Sequence, residues 1–157
     1  MKVDISDARV SNDPGEFLVT YALGSCMGVC LYDPAVPIGG MLHCLLPDST
    51  RNPVMAEENP FVFADTGLAI LLENLLSLGA RKRRLKVKLA GGASRVETTA
   101  NGPAIGQQNY LAIRKALWKS GLFIHAEDVG GTTPRTMTLY VTDGSVVLQA
   151  RGDRWSL

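Results

Sequence analysis

The chain has 157 residues, enough for one domain with its own core and without a disulfide or metal staple. Lysine and arginine number 16 against 15 acidic residues, and a net charge of +1 removes the electrostatic case for nucleic acid or an anionic membrane as partner. No apolar run approaches the roughly 18 residues of a membrane span, and Met1 to Asp7 lacks the apolar core of a signal peptide, so a cytoplasmic protein with reduced cysteines is expected.

Val3, Ile5 and Val10 alternate with polar residues, and Asn12-Asp-Pro-Gly15 marks a turn before Phe17 to Ala22, which predicts two early strands. Leu23-Gly-Ser25 punctuates the chain. Met27 to Tyr32 is rich in strand formers and reads as a buried strand stopped by Asp33-Pro34. Pro37 to Gly40 reads as a further break, and Met41 to Leu46 as a strand ending at Pro47. Asp48 to Pro60 mixes turn formers with charge and shows no period, so it reads as a surface loop and a candidate lid or substrate rim.

Leu68, Leu71, Leu72, Leu75 and Leu76 recur at helical spacing between Asp65-Thr66 and Gly79, predicting an amphipathic helix. Arg81-Lys-Arg-Arg84 falls just past its C-terminus, where cations complement the helix dipole, and reads as a solvated structural feature rather than a binding patch. Leu85, Val87 and Leu89 alternate into Gly91-Gly92, a strand and a turn. A second helix is expected from Gln107 to Ser120 with Tyr110, Ile113, Ala116 and Leu117 inward. Phe123 to Val129, Met137 to Val141 and Ser145 to Ala150 read as strands, the last two forming a hairpin across Asp143-Gly144. No internal repeat or low-complexity tract divides the chain, so residues 1–157 read as one mixed α and β domain.

The candidate chemistry gathers at Thr20 to Asp33, where a glycine turn hands Cys26 to an apolar run. A thiol of pKa about 8.5 is only a few per cent ionised at neutral pH and needs a base. Two histidines exist, His43 and His125, and His43 follows two glycines in a second apolar run. The turn at Gly24 and Ser25 also offers backbone amides as an oxyanion hole. The plainer readings stand beside these: free cysteine is a common core residue, which suits Cys30, and a sheet histidine usually packs. Spacing and composition leave Cys26 open between nucleophile and packing residue, and favour packing for His43. A metal site from Cys26, Cys30, His43 and Cys44 fails on geometry. Residues 26 and 30 of one strand stand about 13 Å apart, which also excludes a disulfide between them, and neighbours 43 and 44 point to opposite faces.

Six motifs in order then carry a resemblance: Leu23-Gly-Ser-Cys26; Gly39-Gly-Met-Leu-His43 with Leu46-Pro-Asp-Ser49; Ala64-Asp-Thr66; Gly91-Gly-Ala93; Ile105-Gly106 with Asn109; and Glu127-Asp-Val-Gly-Gly131 with Arg135. Together they resemble the CheD family of bacterial chemotaxis proteins, the chemoreceptor glutamine deamidases. The chain departs from the family pattern at Ser94, where asparagine is usual, at Gln108, where arginine is usual, and at Thr132-Thr-Pro134 before Arg135.

The resemblance implies Cys26 as nucleophile, His43 as base and Thr20 as the third member of the triad. It implies a layered α+β sandwich with flanking helices, of the kind shared with cytotoxic necrotizing toxin catalytic domains. It further implies specific glutamines on chemoreceptor cytoplasmic helices as substrate, a CheC-like phosphatase as regulator, and neither metal nor cofactor. On that reading the Cys26 thiolate attacks the glutamine amide while turn amides near Gly24 and Ser25 hold the oxyanion. The competing class is a CheD-like binding or regulatory module with little turnover; a thiol protease is the competing enzyme.

Overall fold

Where apolar residues alternate, a strand has one face covered, and where they run on without a break, both faces must be. This chain contains both kinds. The computed structural model describes residues 1–95 and 98–157. In chain order its elements are β1 (Asp7–Ser11), β2 (Phe17–Leu23), β3 (Met27–Asp33), β4 (Ile38–Cys44), α1 (Pro53–Glu58), α2 (Ala64–Ser77), β5 (Lys86–Gly91), the short pair β6 (Thr98–Thr99) and β7 (Gly102–Pro103), α3 (Ile105–Lys119), β8 (Ile124–Val129), β9 (Arg135–Tyr140), β10 (Val146–Ala150) and β11 (Asp153–Ser156).

A five-stranded sheet runs β1-β4-β3-β5-β8 and a four-stranded sheet runs β11-β10-β9-β2. All neighbours are antiparallel except β5 and β8, which are parallel and joined through α3 as their crossover. The sheets pack face to face through Leu18, Leu23, Cys30, Met41, Met137, Leu139 and Leu148. The other face of the larger sheet lies against α2 and α3, through Val29, Leu31, Leu42, Leu68, Leu71, Ile113 and Leu117. Every residue of β3 and β4 is therefore buried, whereas β9 alternates between buried and half-buried. The result is the expected α+β layered sandwich with flanking helices. Among the described residues, no helix is long and apolar enough to cross a membrane.

Several boundaries differ from the sequence reading for packing reasons. The first strand starts at Asp7 because Ser6 turns at φ 58°, and Val3 pairs instead with Val19, donating its N–H to the Val19 carbonyl at 2.8 Å. Gly39 and Gly40 lie inside β4 rather than breaking it. A Cβ on Gly40 would meet Leu71 Cδ1 at 2.8 Å and Val10 Cγ1 at 3.0 Å, so glycine lets the helix seat against the sheet. The strand stops at Cys44, since Leu45 and Leu46 turn away to donate to the Val62 carbonyl at 2.9 and 2.8 Å.

Residues 48–60 are not without structure: the Asn52 side chain caps α1 by accepting from Met55 N–H at 3.1 Å, and Pro53 opens the helix. None of α1 is buried, so the segment does lie on the surface. β11 was not legible in the sequence. Arg84, read as solvated, forms a two-pronged ion pair with fully buried Asp33, Nη2 lying 2.7 Å from Oδ2 and Nε 2.9 Å from both carboxylate oxygens.

Candidate active site

The site starts from a bulge. Between Thr20 and Leu23 the pairing of β2 with β9 gains one residue, and Ala22 adopts φ 56°. The bulge returns Leu23 to the inner face that Leu18 and Thr20 share, and it delivers the turn Gly24-Ser25 to the end of β3. Cys26 sits at that turn, 7% exposed, with its side chain in the core between the sheets.

β4 pairs with β3 so that His43 lies opposite Gly28, two residues along from Cys26. Alternation along the strand therefore puts Cys26 and His43 on the same face as diagonal neighbours, with no side chain on the intervening glycine. Cys44 faces the other way, into the core under the helices.

His43 is fully buried, and the Thr20 hydroxyl lies 2.7 Å from its Nδ1. That hydroxyl donates its single proton to the Val3 carbonyl at 2.8 Å. Towards Nδ1 it is consequently an acceptor, so Nδ1 carries the ring proton and Nε2 presents a lone pair. Nε2 is buried and has no hydrogen-bond partner. An unpartnered basic nitrogen on the face of a nearly buried thiol is the arrangement a general base requires.

Burial acts on both groups. It pushes the Cys26 thiol up, opposed by the residue's own N–H at the sulfur, and it lowers the His43 imidazole to about 4 against a weaker pull from Asp4. Both shifts favour thiol and neutral imidazole over thiolate and imidazolium. Cys30 is a core residue, 1% exposed with its Sγ 3.9 Å from Met137 Sδ. His125 stands apart, its Nδ1 accepting from Val87 N–H at 3.1 Å where β5 and β8 shift register. Among the described residues no group of three or more His, Cys, Asp or Glu is placed to hold a metal ion.

Three consecutive carbonyls of the turn at Gly24 to Cys26 are tied down. Gly24 O accepts from Ala93 N–H at 2.8 Å, Ser25 O from Asn109 Nδ2 at 2.8 Å and Cys26 O from Gly92 N–H at 2.8 Å. In a trans peptide the N–H points opposite to the C=O. Fixing these carbonyls therefore aims the Ser25 and Cys26 amides away from the supporting loop. Gly24's own N–H is already used, donating to the Ala22 carbonyl at 2.8 Å, so Gly24 shapes the turn and the candidate oxyanion donors are the amides of Ser25 and of Cys26, the latter beside its own sulfur.

Gly91 makes the close approach possible. It adopts φ 112°, and a Cβ there would fall inside the Cys26 carbonyl oxygen. Behind it, Arg135 pairs with Asp128 at 2.9 Å and donates to the Gly130 carbonyl at 2.7 Å, and Trp155 of β11 donates to Asp128 at 2.9 Å. The roles of Asn109 and of the Val3 carbonyl were missed in the sequence. One signal was available for Asn109: it shares the inward stripe of α3 with Ile113 and Leu117, where a buried amide must find partners.

With this geometry in view, the comparisons with known proteins are specific. A model of the CheD chemotactic sensory transduction family matches residues 45–150. Relatives extend the likeness over the turn at Gly24 to Cys26. A "Probable chemoreceptor glutamine deamidase CheD" of Solibacter usitatus (strain Ellin6076) is 48% identical over 155 residues, covering 99% of this chain and 91% of the relative. The chain belongs to the CheD family. A second CheD relative, from Syntrophus aciditrophicus (strain SB), is 47% identical across 96% of this chain and 93% of its own length. A third, from Methanococcus maripaludis (strain C6 / ATCC BAA-1332), is 42% identical across 95% of this chain and 94% of its own length.

None of the departures from the CheD pattern falls on Cys26, His43 or Thr20. Ser94 and Thr132 line a groove of about 660 Å³ shared with Gly92, Tyr110 and Gly130. Gln108 donates to the Pro103 carbonyl at 2.6 Å. Pro134 lies beside Arg135 and Ala22 in a separate surface cavity.

Proposed function

We infer that this CheD protein hydrolyses glutamine side chains on the cytoplasmic helices of chemoreceptors to glutamate and ammonia, with a CheC-type phosphatase as its regulator. Membership of the family makes the chain a hydrolase of the deamidase type, and the relatives' names supply the receptor glutamine. The observation that carries the chemistry is the unpartnered His43 Nε2 on the same face as Cys26, its tautomer set by Thr20.

Cys26 Sγ attacks the amide carbon as its proton passes to His43 Nε2, so that burial never faces a lone charge before the reaction starts. The developing oxyanion lies against the Ser25 and Cys26 amides. The C–N bond then breaks, the imidazolium protonates the departing nitrogen, and ammonia leaves a thioester on Cys26. Water attacks the thioester with its proton taken by His43, the C–S bond breaks, and glutamate and the thiol are released. Thr20 holds the imidazole through Nδ1 without contributing a charge. A cytoplasmic setting follows from the substrate, whose modified helices lie on that side of the membrane.

The deciding experiment incubates the protein with purified receptor cytoplasmic domains and maps modified glutamines by mass spectrometry. A gain of about one dalton at defined glutamines with wild type, absent with Cys26→Ala, is expected. Conversion by the Cys26→Ala protein at the wild-type rate would end the proposal.

A further inference from the structure

Asn109 is fully buried on α3, and its side chain bridges the two segments that carry Cys26 and His43. Its Nδ2 donates both protons, to the Ser25 carbonyl at 2.8 Å and to the Leu45 carbonyl at 2.9 Å. Ser25 immediately precedes Cys26, and Leu45 lies two residues beyond His43 at the point where β4 leaves the sheet. Oδ1 is buried and has no partner. A side-chain amide that leaves its own acceptor unsatisfied in order to serve two carbonyls is an expensive arrangement for packing alone.

We propose that Asn109 is a positioning residue for the deamidation reaction, setting both the direction of the Cys26 amide and the spacing between the nucleophile turn and the base strand. The first effect follows from peptide planarity, since holding Ser25 C=O towards α3 points the Cys26 N–H to the opposite side, where its own sulfur and a developing oxyanion lie. The second follows from the two-carbonyl grip: the turn and the end of β4 are both fastened to one rigid helix. Neither a hydroxyl nor a carboxylate reproduces two donors at one atom, so the role is specific to the amide. Asn109 touches no reacting atom and acts through the backbone of Ser25 and Leu45. The deamidation arm rests on the function inferred above; the geometric claim does not.

The test compares wild type with Asn109→Leu and Asn109→Ser, each checked for folding by circular dichroism and melting. In a folded variant, kcat on receptor cytoplasmic domains should fall about 100-fold with KM within about threefold, the scale of an ångström-level misplacement. Alkylation of Cys26 by iodoacetamide should slow at least about tenfold, because the amide supporting the thiolate is turned away. A merely structural asparagine predicts the reverse, a loosened turn with equal or faster alkylation and unchanged kcat, and that result overturns the proposal. Slowed alkylation in variants of a wild type that deamidates no receptor would sustain the positioning role while removing the glutamine reading. If neither variant folds at any temperature, Asn109 is a determinant of the fold and the proposal is likewise overturned.

Discussion

The Thr20 hydroxyl stands 2.7 Å from Nδ1 of His43 while donating to the Val3 carbonyl, so it accepts a hydrogen bond from Nδ1–H and commits the ring to one tautomer. Thr20→Val keeps the shape and removes the acceptor. The expected loss in kcat is about tenfold, one orienting hydrogen bond, while Thr20→Ser should retain most activity. A loss in Thr20→Val as complete as that of Cys26→Ala would mean the hydroxyl takes part in the chemistry itself.

The acid limb of kcat/KM should lie well below the usual histidine range. Burial holds His43 at about 4, so the neutral base persists as pH falls through 6.5, its ordinary value, and is lost only near 4. Activity should therefore be flat down to about pH 5 and drop below it, measured with a receptor domain that remains folded. A limb centred near 6.5 would contradict the buried base. Stability follows the same group: the unfolded imidazole binds its proton near 6.5 and the folded one near 4. The unfolded state thus binds more protons between those values, and stability falls as pH drops through that window, by at most about 3 kcal/mol. Denaturant titrations of wild type and His43→Gln at several pH values separate this contribution.

Iodoacetamide should label Cys26 selectively. Cys30 and Cys44 are buried with thiols pushed up, Cys44 to about 12, whereas Cys26 lies at a turn with its own amide at the sulfur. Because burial also raises the Cys26 thiol, its labelling rate should keep climbing above about pH 8.5. A rate already at its plateau by neutral pH would show a preformed thiolate and rule out the neutral resting pair.

Gly91→Ala should disable the site by moving the turn. The added Cβ meets the Cys26 carbonyl oxygen, and φ 112° is a backbone state that alanine resists. A stability loss of about 2–4 kcal/mol with activity lost beyond the unfolded fraction is expected, measured by denaturant titration alongside receptor deamidation. Wild-type stability and activity together would show that the loop yields freely.

Arg84→Met should destabilise without touching the chemistry. Burial raises the Asp33 carboxyl, but the Arg84 guanidinium and the Arg81 and Ala35 amides together outweigh it and keep the group charged. Removing the guanidinium strands that charge, at about 3 kcal/mol, whereas Asp33→Asn with Arg84→Met should recover part of the loss. Equal stability of wild type and Arg84→Met would mean the pair contributes nothing.

Much of the fold was legible because it rests on local pattern. The leucine spacing marked α2, the alternation marked β5 and β9, and the run Met27 to Tyr32 announced a buried strand, which the structure extends to Asp33. The reading failed where contact overrides propensity. Gly39-Gly40 looks like a break until Leu71 and Val10 are found pressing on it, and Arg84 looks solvated until Asp33 is found beneath it.

By itself the sequence determined a mixed α and β domain, the motifs that resemble CheD, and a cysteine at a turn before a buried strand, while the layering was implied by the resemblance. Those are properties of neighbours in the chain. Only the tertiary structure decided which ring nitrogen of His43 meets Thr20, that the Gly24 amide is already used, and that Asn109 ties the Ser25 carbonyl to the Leu45 carbonyl beyond β4. The Thr20 and Asn109 contacts join residues 23, 84 and 64 positions apart, and they depend on strand register and helix seating, which spacing along one segment does not encode.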